Sequence, residues 1–146
     1  MTTQTIGLLI GGGIPAVLFG LSTVFNKSSV LAGISLGFYM LSVGLAVMLV
    51  GGVLYAMEAE HIVTVKSASI ALLAGLSWGG GASAITIALI HYQTPISQLV
   101  PIYNLNTLVA VMVGLVFFSE WQDVNMVKLL TGGILVVAGA SLVANA

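Results

Sequence analysis

The sequence predicts an all-α fold, a polytopic transmembrane helix bundle of about five spans, on three observations. Of 146 residues, 59% are apolar and 5% are charged, and the mean hydropathy is +1.19. A soluble domain keeps its surface in water with roughly a quarter of its residues charged, and three Lys with four acids cannot do that. The charges also fall so as to leave uncharged stretches at 1–26, 28–57, 67–119 and 129–146. One crossing of about 30 Å of hydrocarbon takes roughly 20 apolar residues, so the third stretch holds two helices and the others one each.

The spans are read at 4–26, 30–57, 66–91, 95–119 and 125–145. The opening Met1-Thr2-Thr3-Gln4-Thr5 lacks the Lys or Arg of a secretory n-region, so the first apolar run is read as a retained span. Lys27–Ser29 separates it from the second, and Glu58–Val65 separates the second from the third. The long stretch turns at His91-Tyr92-Gln93-Thr94-Pro95, because Pro suits a first helical turn and disfavours helix in the residue before it. Glu120–Val124 precedes the fifth span, where Asp123 complements a helix N-terminus. Open sheet would leave backbone groups unbonded in lipid, and the uninterrupted apolar runs lack the alternation of a barrel.

Connections this short make successive helices antiparallel neighbours in a single transmembrane domain, 1–146, and leave no room for an extramembrane domain. Lys66 and Lys128 lie on the side of the N-terminus and Lys27 on the other, which places the N-terminus in the cytoplasm. So small a bias is compatible with insertion both ways. With an odd number of spans, two oppositely inserted copies would form an inverted pair.

A net charge of −1 offers nucleic acid no electrostatic footprint. Without cysteine there is no disulfide, thiolate metal site or cysteine nucleophile. His61 and His91 are isolated, and neither a Ser/His/Asp set nor a phosphate-binding glycine loop is present, so neither enzyme chemistry nor a cofactor is expected.

Glycines and alanine at Gly7/Gly11, Gly33/Gly37, Gly75/Gly79 and Gly80/Ala84 have the spacing that lets helix backbones approach, within one bundle or across a dimer. Gly79-Gly80-Gly81 after Trp78 leaves backbone thinly covered and invites a bend or a cavity. Lys27, Glu58, Glu60, Lys66, Asp123 and Lys128 all stand at span ends, where snorkelling and capping account for them.

The fourth span is the polar one: Pro95-Ile96-Ser97-Gln98-Leu99-Val100-Pro101-Ile102-Tyr103-Asn104-Leu105-Asn106-Thr107. At about 100° per residue, Gln98 and Asn106 fall within roughly 80° of each other, with Tyr103 about 60° beyond Asn106. These three can share a face, and Asn104 points elsewhere. Pro101 donates no backbone bond and frees the carbonyl near Ser97, and a broken helix bearing amides is a common way to build a solute site within a membrane. The alternative is that Asn and Gln join helices, at about 1 kcal/mol each. Trp78 and Tyr39 are mid-span aromatics able to line a cavity. Glu120, directly after Val116-Phe117-Phe118-Ser119, could couple protonation to movement if drawn inward.

The runs Ala88-Leu89-Ile90-His91-Tyr92, Pro95-Ile96-Ser97 with Pro101, Phe118-Ser119-Glu120-Trp121, and Gly132-Gly133-Ile134-Leu135-Val136-Val137-Ala138-Gly139 together resemble one EamA-like five-helix repeat of the drug/metabolite transporter superfamily. Phe19-Gly20 and Asn26-Lys27 resemble the family's opening span. Tyr103-Asn104-Leu105-Asn106 and Phe118-Ser119-Glu120-Trp121 resemble the glucose/ribose uptake branch. Full-length members typically hold two inverted five-helix repeats, so the resemblance implies half of a ten-helix transporter that pairs with a second repeat, as homodimer or heterodimer. It also implies a bilayer of the prokaryotic cytoplasmic membrane as its surroundings. Small multidrug resistance proteins are similar in size, but keep a glutamate in the first span, and residues 1–26 contain no acid. The expectation is therefore a secondary transporter of a small neutral or zwitterionic solute (sugar, amino acid or similar metabolite), held by Gln98, Tyr103, Asn106 and Trp78, with Glu120 as coupling residue. The alternative is an accessory or scaffold subunit of a larger membrane complex.

Overall fold

The computed structural model describes residues 3–122 and 124–146, and among them helix alternates with short connections and no strand occurs. Five helices are long and apolar enough to cross a membrane: Thr5–Leu31, Leu36–Met57, Val65–His91, Ile96–Phe117 and Met126–Ala144. The chain is thus the all-α, five-span integral membrane protein that its composition predicts. It divides into two compact units, Met1–Gln93 and Thr94–Ala146.

In the first unit, the opening span consists of α1 (Thr3–Leu8), a π-helical turn (Leu9–Gly13) and α2 (Ile14–Leu31). The Ile14 N–H donates to Leu9 O, the wider bond of a π turn. Pro15 explains the widening: it offers no N–H to the Gly11 carbonyl and would crowd it in a regular helix.

The first span does not end at residue 26 as expected. Helix continues to Leu31 because the polar run after Phe25 is absorbed within it: Ser28 and Ser29 hydroxyls donate to the carbonyls of Val24 and Phe25, each at 2.9 Å. The stop is a C-terminal glycine motif. Gly33 N–H donates to Val30 O at 3.0 Å and Ile34 N–H to Ser29 O at 3.2 Å, with Gly33 at φ +87°. The connection is therefore Ala32–Ser35, not Lys27–Ser29, and Asn26 and Lys27 lie inside the helix. Gly33 serves a turn rather than a Gly33/Gly37 packing pair.

The second and third spans are α3 (Leu36–Met57) and α4 (Val65–His91). Between them the Tyr55 and His61 rings stack at 3.8 Å, and His61 Nδ1 stands 4.0 Å from Glu58 Oε2. A reciprocal cap opens α4: Thr64 Oγ1 accepts from Ser67 N–H, and Ser67 Oγ accepts from Thr64 N–H. Its end is marked by Gln93, at φ 51°, whose Nε2 donates to Ile90 O at 2.8 Å.

Gly79–Gly81 leaves α4 unbroken, and a continuous helix bonds every backbone group internally in lipid. α2 and α3 both pack on α4. The packing surface is not glycine-lined: a Cβ built on Gly7, Gly11, Gly75 or Gly80 would meet nothing within 4 Å, and one on Gly79 would meet Met40 Cε at 3.9 Å.

The second unit contains α5 (Ile96–Tyr103), α6 (Asn106–Phe117), a single 3-10 turn (Glu120–Gln122) and α7 (Met126–Ala144). α5 and α6 together form the fourth span, and α5 packs on α7. Asn125 caps α7, its Oδ1 accepting from Lys128 N–H at 3.0 Å. Asp123, expected to complement this helix, lies outside the described residues.

Candidate functional site

The fourth span breaks near its middle. Helix runs through Pro101 to Tyr103, and a tight turn at Asn104–Leu105 then leads into α6. The turn is bonded three residues apart: Leu105 N–H to Ile102 O, Thr107 N–H to Asn104 O and Leu108 N–H to Leu105 O, all at 3.0–3.1 Å. Helix thus runs unbroken past Ser97 and Pro101, where an interruption was expected, and the turn comes after them with the 3-10-type geometry common in hinges.

This turn alters the face on which the polar residues lie. Each 3-10 step advances about 120° rather than 100°, so Asn106 swings away from the direction a regular helix would give it. Gln98 and Tyr103 are half-buried, while Asn106, first residue of α6, is exposed, as is Asn104. Thr107 Oγ1 donates to Asn104 O at 2.9 Å, tying the turn together locally. The α5 C-terminus, negative in its dipole, and the α6 N-terminus, positive in its dipole, meet in mid-span.

The other predicted positions are scattered. Trp78 belongs to the first unit, on α4, and is 51% exposed; Tyr39 is half-buried on α3. Glu120 opens the 3-10 turn, and its side chain lies outside the described residues. An open, largely apolar groove lies at the start of α4, beside Val63, Thr64, Ala68 and Leu72, and includes none of these predicted residues.

A second polar locus was not anticipated. In the first unit, Asn26 on α2 is 6% exposed and Thr86 on α4 is fully buried, next to the equally buried Leu89. Asn26 Nδ2 donates to Thr86 Oγ1 at 3.1 Å, and Thr86 Oγ1 donates to Ala82 O at 2.9 Å. Asn26 Oδ1 is buried with no partner among the described residues. Ending the first span at residue 26 hid this, by placing Asn26 at the very end of the helix. An amide in a span long enough to run past it was the available signal.

No family model, curated protein or solved structure matches this chain.

Proposed function

We propose that the chain is the subunit of a secondary transporter, moving a small neutral or zwitterionic solute across the membrane as a dimer. The observation that carries this reading is the discontinuous fourth span, where two half-helices meet at Asn104–Leu105. Opposed helix ends in mid-membrane provide partial charges without a buried ion, and amides beside them provide donors and acceptors. Gln98, Tyr103 and Asn106, all in the second unit, are the binding residues of this reading, with Glu120 as coupling residue. Uncharged side chains at the break favour solutes without net charge.

The likeness to a single EamA-like repeat supports the same function and a second five-helix copy as partner. Spans with exposed apolar faces, including glycines whose Cβ positions meet nothing, leave surface for that copy. Purified protein in liposomes should take up at least one of a panel of labelled sugars and amino acids, and the same solute should raise the melting temperature in detergent. Absence of flux and of any thermal shift, together with recovery of one fixed membrane partner, would instead establish an accessory or scaffold subunit.

A further inference from the structure

In the first unit, Asn26 and Thr86 each stand five residues before the end of their helix (26 against 31, 86 against 91). One turn earlier on each helix are Thr23 and Ser83, both half-buried. Three hydroxyls of this seam donate to carbonyls of their own helices: Thr23 to Phe19 O, Ser83 to Gly79 O and Thr86 to Ala82 O, at 2.8–2.9 Å. Asn26 Nδ2 is engaged by Thr86. What the seam leaves over is an acceptor, Asn26 Oδ1.

Rotating the amide would not remove the problem. It would put Nδ2, with two N–H groups, where one acceptor had been, and Thr86 would have to abandon Ala82 to serve the oxygen. An unmade bond to a buried amide oxygen costs more than an ordinary bond returns. Leucine at position 26 would satisfy the packing without that cost, so the asparagine needs a reason beyond the fold.

We propose that Asn26 is a solute-binding residue, its Oδ1 accepting an N–H or O–H group of the transported molecule once α2 and α4 part to admit it. This rests on the transport reading above and assigns a solute contact within the first unit. The required ligand is a hydrogen-bond donor, as sugars and amino acids are, and not an anion lacking donors.

The test uses the full chain, with glucose and glycine as probes, in detergent melts and in liposome uptake. Asn26→Leu removes the orphan oxygen. Thr86, still bonded to Ala82 O, loses nothing it requires. Without solute, Asn26→Leu should therefore melt about 2 to 4 °C above the unmodified protein. It should also lose the probe-induced shift, with affinity falling about tenfold or more. Thr86→Val, which withdraws the partner of Nδ2 together with the hydroxyl's bond to Ala82 O, should melt lower and still bind. If Asn26→Leu melts lower or fails to fold, the residue is structural and the proposal is overturned. If it binds like the unmodified protein while that protein transports, the proposal fails and the transport reading stands. If the unmodified protein neither shifts with nor moves either probe, the transport reading fails for both classes and this proposal with it.

Discussion

A Cβ placed on Gly133 of α7 would lie 3.4 Å from Leu108 Cδ2 of α6. The fifth span packs on the first half of the broken one, and at Gly133 it also touches Leu108, near the start of the second half.

The contact makes position 133 sensitive to size. Gly133→Ala should fold normally, since 3.4 Å is ordinary van der Waals distance and alanine is the better helix former. Gly133→Leu has to displace Leu108, at a cost of about 1–3 kcal/mol. Melting in detergent should show little change for the first and a clear fall for the second; equal tolerance of both would mean that α6 and α7 are not held at this spacing.

Gly33 and Gly37 should respond differently to the same substitution. Gly33 holds φ +87° at the end of α2, and L residues enter the left-handed region at about 1–2 kcal/mol. Gly37 lies in α3, and a Cβ there meets nothing within 4 Å. Gly33→Ala should lower the melting temperature and Gly37→Ala should not; equal losses would assign both to a packing seam.

The fourth-span reading predicts a separation of binding from folding. Gln98→Leu and Asn106→Leu remove hydrogen-bonding groups with little change of volume, and each should weaken solute binding by about 1 to 3 kcal/mol, roughly tenfold to a hundredfold. Their melting temperatures should stay near that of the unmodified protein. Unchanged flux with a lowered melting temperature or dimer fraction would show that the amides join helices. Pro101→Ala supplies a missing N–H just before the turn at Asn104, and should disturb transport if the break shapes the site.

Assembly is open to direct measurement. A chain of five spans that needs a second copy should be a dimer by light scattering in mild detergent. Single cysteines at the termini, in a protein with none of its own, should react from both sides of the membrane if the copies are opposed. One-sided labelling would eliminate the opposed homodimer, and a monomer would remove the assembly claim altogether.

The sequence by itself determined the solvent, the helical class and the number of spans. These follow from composition and run length, because lipid admits few charges and demands that every backbone group be bonded within its own segment. The turn before Pro95 and the polarity of the fourth span were legible for similar local reasons, whereas the break was expected at Pro101 and came after it, at Asn104–Leu105. The first helix's true end was less so: Ser28 and Ser29 look like a loop until their hydroxyls are seen bonding back to Val24 and Phe25. What tertiary structure alone decided is which polar groups meet. Asn26 and Thr86 are 60 residues apart and belong to spans that no periodicity pairs, yet packing α2 on α4 brings their side chains to 3.1 Å and strands one oxygen. In all-apolar helices the polar contacts are set by the rotation of each helix about its axis, and that rotation is fixed by the neighbouring helix, not by the chain's own pattern.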